Sequence, residues 1–372
     1  MEKLDINKQV PYGASLQEVL DHPSLNESKI KYFLRFKGVF IENSKPNDTY
    51  PILLSTLISP NEFEYIKEHI RTKEANQKIQ SRTIEWHDRR DLIEIVPDSI
   101  DLKKMVEESG ARYKVIKQTN FATVDGDRNK VKMTFKCETN NYNSGWYRTK
   151  NEYDGEILVE KTGEGDEAYL RMIYTSPETM NIADIGVKYL AKEFKDKKYT
   201  KPDKDIERIL YGNFTNEERV SFFMSLTGAN DVFTFQRFTN VDIAPDKTKD
   251  LPAEVHKLMT GNVNSLNIDG ENLHENFLLR ERENHQFVEL ADIEARYDFS
   301  YHVAEGSCIV RFGFSKYLKK RLHNIEFSID ISSISLKDEY QHLNKEKIRS
   351  YLLQEFEKFK TEKYNQIKKQ RE

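Results

Sequence analysis

Between residues 112 and 175, short runs of alternating apolar and polar residues are separated at regular intervals by turn signals. That pattern constrains the fold more than any other in the chain. RYKVIKQTNFATV leads through Asp125, Gly126 and Asp127 into KVKMTFKCE, and EILVEK leads through GEGDE into AYLRMIY. A period of two sends successive side chains to opposite faces of a strand, and Asp-Gly suits a two-residue hairpin turn. The stretch therefore predicts an antiparallel meander. DVFTFQRFTNVDI, IEARYDFSYHV, SCIVRFGFS and IEFSIDISS predict further strands.

Helical signals are interleaved with these runs. Ser176 and Pro177 open an amphipathic helix over residues 177–194, with Ala183, Val187, Leu190, Ala191 and Phe194 on one side. Thr215 and Glu218 form a capping box ahead of Val220, Phe223, Met224 and Leu226. A short helix is expected over residues 253–259. A long one is expected from Lys345 onward, with Ile348, Leu352, Phe356, Phe359 and Ile367 near one face and a basic end, KYNQIKKQRE, that should fray. The fold class is α+β: a small helical head, an antiparallel β-rich body with interspersed helices, and a C-terminal helix.

With 372 residues, two or three domains are expected. The boundaries are placed at 1–78 (helical head), 79–202 (β-rich domain with a closing helix) and 203–372 (α+β domain). The charged linker KDKKYTKPDKD, residues 195–205, marks the second boundary. No repeat is visible in the residues. With 58 Lys plus Arg against 62 Asp plus Glu, the net charge of -4 confines any nucleic-acid surface to a local patch. No run approaches a membrane span and MEKLDINKQV lacks the apolar core of a signal peptide, so a cytoplasmic protein without membrane contact is expected. Cys137 and Cys308 are far apart on predicted strands and read as buried, reduced thiols.

Residues 28–60, SKIKYFLRFKGVFIENSKPNDTYPILLSTLISP, read as helix, extended loop, helix. Ile30, Phe33, Leu34 and Phe36 make the apolar set of the first helix, which stops at Gly38. Lys29, Lys31, Arg35 and Lys37 fall largely off that stripe, where cations meet either phosphates or solvent. Pro51 is expected in the first turn of the next helix. A third helix follows, with Ser59 as cap, Pro60 at its first position, Glu62 closing the box, and Phe63, Ile66 and Ile70 buried.

LRFKGVF, a polar loop and an apolar helix together resemble a SAP-type helix-extension-helix module, which implies DNA binding. Asn47 and Asp48 stand where such a module usually carries a lysine before its second helix. The longer run from PYGASLQEVL through KGVF to LLSTLISPNEFEYI, with LTGANDVFTFQRF and GENLHENFLLRE further on, resembles bacterial proteins encoded beside restriction-like nuclease genes in two-gene phage-defence systems. That resemblance implies antiviral defence, a partner nuclease subunit encoded nearby, and a hetero-oligomer.

The sequence contains no nucleotide-binding glycine loop, HExxH, paired CxxC or GxSxG. No cofactor, metal site or catalytic residue is assigned. Asp292, Glu294 and Arg296 come closest to a nuclease pattern, but strand alternation puts all three on one face. HDRRD, residues 87–91, reads either as a phosphate clamp of Arg89 and Arg90 with His87 as base, or as a solvated turn. Asp298 and His302 share a strand face, as a reactive pair or as a structural hydrogen bond. Trp146 and Tyr147 beside Arg148 read as hairpin packing or as a base-stacking platform. Arg128, Lys130 and Lys132; Lys316, Lys319, Lys320 and Arg321; and Lys368, Lys369 and Arg371 read as solvated edges.

The expected function is a non-catalytic DNA-recognition or regulatory subunit of an antiphage complex, with Lys29, Lys31, Arg35, Lys37, Arg89 and Arg90 as nucleic-acid contacts. The alternatives are a divergent metal-dependent nuclease and a protein-only scaffold.

Overall fold

In the computed structural model, β1 (Lys78–Glu85) runs near the centre of one antiparallel sheet. The structure describes residues 10–20, 27–42, 45–63, 66, 76–140, 150–161, 166–201, 204–252, 266–269, 277–301, 304–315 and 317–371. On one side of β1 lie β2 (Tyr113–Gln118), β3 (Ala122–Val124), β4 (Asp127–Asn140), β5 (Lys150–Lys161) and β6 (Glu167–Tyr174). On the other lie β7 (Glu207–Arg208), β8 (Phe233–Pro245), β9 (Leu266–Asp269), β10 (Val288–Tyr301), β11 (Ala304–Gly313) and β12 (Ser328–Leu336). The order is β2-β4-β5-β6-β1-β12-β11-β10-β8-β9, with β3 beside β4 and β7 beside β1. The architecture is α+β.

Local chemistry explains the element ends. Asp125 and Gly126 both adopt positive φ, 52° and 80°, and Val124 pairs with Asp127, which is the two-residue hairpin that Asp-Gly encodes. Ser176 and Thr179 form a reciprocal cap for the helix Pro177–Asp196, and Thr215 and Glu218 do the same for the helix Asn216–Ser225. Gly155 stands opposite Phe135, whose ring covers it so closely that a Cβ there would lie 2.4 Å from Cζ.

One connection order is used twice. β1 is followed by the short helices Leu92–Ile95 and Leu102–Glu108, then β2, β4, β5 and β6, then the helix Pro177–Asp196, and β6 returns beside β1. In the second half β7 is followed by the helix Asn216–Ser225, then β8, β10, β11 and β12, then the helix Lys345–Arg371. Leu210, just past β7, bridges to Glu326, just before β12. The repetition escapes the sequence because a topology needs only the apolar period to be kept, not the residues.

The two halves bury their helices on opposite faces. Val131, Met133, Phe135, Ile157, Leu170 and Met172 close one core with Val187 and Leu190 of the helix Pro177–Asp196. Tyr297, Val310, Phe312 and Ile331 close the other with Val220, Phe223, Leu352 and Phe356. On β6, Met172 and Tyr174 enter the first core while Ile173 between them enters the second. Each such buried Leu, Ile or Phe stabilises the fold by roughly 1.5–3 kcal/mol.

The head has its own core, in which Ile30, Phe33 and Leu34 of the helix Glu27–Phe36 meet Leu16, Val19, Leu20, Leu53, Phe63 and Ile66. Gly38, at φ 78°, ends that helix, with its N–H donated to Arg35 O at 2.9 Å and Val39 N–H to Leu34 O at 2.9 Å. The next helix starts at Pro46, earlier than the sequence suggests, and carries Pro51 inside it. Ser59 and Glu62 exchange both bonds of the expected box, at 2.7 and 3.3 Å. Ile70 and residues 253–259 lie outside the described residues.

The C-terminal helix is continuous from Lys345 to Arg371. Lys368 pairs with Glu207 at 2.7 Å, and Arg371 forks onto Glu218 at 2.8 and 2.9 Å, holding the last turn against the second half.

Candidate nucleic-acid interface

The head helix Glu27–Phe36 packs Ile30, Phe33 and Leu34 inward. Arg35 is exposed. Lys31 is half-buried and donates to Glu42 O at 2.7 Å, fixing the extended loop to the helix. Lys37 donates to Leu57 O at 2.6 Å and pairs with Glu62 at 2.8 Å, tying three segments together. The Lys37 hydrogen bond holds the Glu62 carboxyl below its usual range. Two of the expected phosphate contacts therefore also brace the module. Lys29 sits in the first turn, and its side chain lies outside the described residues. Beside the cations, Phe40 and Leu57 are exposed.

In the body, HDRRD caps the end of β1. Trp86 is buried against Phe194 and Tyr199, and its Nε1 donates to Asp88 O at 3.0 Å. Asp88 accepts from the backbone and guanidinium of Arg90, and these hydrogen bonds hold its carboxyl below the usual range. The Arg90 guanidinium lies 5.1 Å from the Tyr199 ring centroid. Lys161 Nζ donates to Asp88 O at 2.9 Å and Arg90 O at 3.2 Å. Asp91 takes Arg128 as partner, so His87, Arg89 and Arg90 are displayed by a built loop. His87 and Arg89 are exposed.

KDKKYTKPDKD, the expected second boundary, lies between the helix Pro177–Asp196 and β7. Its described residues meet that same loop and the end of β1: Trp86 bridges to Thr200, His87 N–H donates to Tyr199 O at 3.2 Å, and Lys201 and Lys204 both pair with Glu85, at 2.7 and 3.1 Å. The density of lysines is the signal the sequence offers; the pairing that brings them to the end of β1 is not legible in it.

Asp292, Glu294 and Arg296 share a face of β10, as alternation requires. Burial pushes the Asp292 carboxyl up to about 6, although Arg311 Nε at 3.3 Å works against it. A Cβ at Gly313 would lie 2.2 Å from Asp292 Oδ1, so only glycine leaves room for this carboxylate. Glu294 accepts from Ser332 Oγ at 3.0 Å and Thr239 Oγ1 at 3.4 Å, and Arg296 donates to Ser307 Oγ at 3.1 Å. Each of the three is engaged within the sheet. Among the described residues no group of three or more His, Cys, Asp or Glu is placed to hold a metal ion. Nor is any helix there long and apolar enough to cross a membrane. Trp146, Tyr147, Arg148, His302 and Lys316 lie outside the described residues.

Residues 14–76 match the family model described as GAPS4b protein N-terminal domain. The match suggests a component of a phage-defence system. It spans the head and stops two residues short of β1. No curated protein matches the chain, and no solved structure does.

Proposed function

We propose that this chain is a non-catalytic DNA-recognition or regulatory subunit of a phage-defence complex that acts with a separately encoded nuclease. The observation that carries the reading is the coincidence of the family match with a module whose packed helix displays Arg35 beside Lys31 and Lys37. Cations fixed on a small rigid scaffold bind phosphates with little entropy loss, and sequence preference then comes from DNA shape or from other surfaces. A local patch is what a chain of net charge -4 requires.

The test is binding of the purified full chain to linear and circular duplex DNA over a salt series, with divalent metal present and the products examined. Binding that weakens steeply with salt and leaves the DNA intact supports the reading. Cleavage lost in Asp292→Asn or Glu294→Gln replaces it with the nuclease reading. Absence of DNA binding, with capture of a partner protein, replaces it with the scaffold reading.

A further inference from the structure

Loop 87–91 and the segment 195–201 meet at the end of β1, and together with Lys204 they hold seven Lys and Arg against three Asp. We propose that this junction is a second phosphate-binding surface of the protein, contacting the backbone of the same duplex DNA through Arg89, Lys198, Lys201 and Lys204. The inference rests on the DNA-recognition reading and adds a contact made by the body.

Three observations carry it. The first is placement: the junction is built by backbone pairing and an aromatic anchor, so its cations sit on a fixed rim. The second is a pair of cations that local pairing leaves over. Lys195 and Lys197 pair with Asp205 and Glu193 and also suit the C-terminus of their helix, and Arg90 is taken by Asp88. Glu85 pairs with both Lys201 and Lys204, while Arg89 and Lys198 are exposed and make no ion pair among the described residues.

The third is the backbone of Lys198. It takes φ 60° at the end of the helix Pro177–Asp196, with Lys198 N–H donated to Lys195 O at 3.0 Å and Tyr199 N–H to Phe194 O at 2.9 Å. This is the left-handed position that glycine fills at least cost. A lysine there accepts strain and projects a cation from the rim, the pattern expected where function opposes stability. Lysine point charges and an exposed arginine, without an apolar groove, fit a phosphate backbone better than a folded protein partner.

The test uses the full chain and fluorescent duplex DNA over a salt series. Arg89→Glu with Lys198→Glu removes the two unpaired cations. Lys345→Glu with Lys347→Glu, at an exposed remote site, makes the same change in net charge. The expected result is a loss of affinity of about tenfold or more for the junction pair, a salt slope shallower by about 2, and little change for the remote pair. Lys198→Gly should raise the thermal midpoint while weakening binding. Equal losses for both pairs, unchanged binding in the junction pair, or stabilisation by Lys198→Gly without loss of affinity would overturn the inference and leave the head-based reading standing. An acidic peptide that competes at the junction while DNA does not would overturn it as well. A wild-type chain that does not bind duplex DNA would overturn both.

Discussion

Ser81 and Arg82 are neighbours on β1, and their side chains hold the two closing helices on opposite faces of the sheet. Ser81 Oγ donates to Glu357 of the helix Lys345–Arg371, and Arg82 Nη2 donates to Asp184 of the helix Pro177–Asp196 at 2.6 Å. Arg82 also forks onto Glu326 at 3.1 and 3.0 Å. The central strand thus serves both halves, and the loop that leaves its end carries Arg89 and Arg90.

Removing Arg82 should be costly, because it leaves two carboxylates beside a buried position without their shared partner. Arg82→Met is expected to destabilise the protein by about 3 kcal/mol or more, read as a lower urea midpoint. Burial pushes Asp184 up, but Lys188 and Arg82 outweigh it and hold the carboxyl below its usual value. Their stabilising effect is present above the unfolded pKa, 3.8, and is lost as pH falls through the lower folded value. In Arg82→Met the acid-side loss of stability should be smaller than in the wild type.

Asp292 has the opposite sign. Its carboxyl is pushed from 3.8 up to about 6, so its contribution is fully present below pH 3.8 and is lost as pH rises through about 6. Asp292→Asn should remove this dependence. Relative to the variant, the wild type is expected to lose on the order of 2 to 3 kcal/mol across that window. Parallel stability curves for the two proteins would contradict the assignment.

Both thiols should be inert in the native protein. Burial pushes Cys137 and Cys308 up to about 12, so the thiolate is scarce at neutral pH. A thiol reagent should label neither in buffer and both in denaturant. Rapid native labelling at either position would mean that the corresponding strand opens locally.

The strands were legible because their period of two is strict: Val131, Met133, Phe135 and Cys137 are buried while the residues between them are only partly so. The capping boxes at Ser59 and Thr215 were legible because both partners lie within four residues. What the residues do not display is long-range pairing. Joining β1 to β12 brings together positions about 250 residues apart, and no local pattern encodes which edges meet. The docking of Thr200 on Trp86 is of the same kind. Pro51 misled because proline suits a first turn, whereas Pro46 takes that place here.

In the proposed function the head is the place where DNA is first met. The most direct measurement compares the wild type with Arg35→Glu for duplex binding across a salt series; the Arg35 side chain is exposed and makes no hydrogen bond or ion pair among the described residues, and its backbone bond to Gly38 survives the substitution. The account predicts a loss of several-fold or more at low salt and a slope shallower by about 1. Undiminished affinity with an unchanged slope would contradict it.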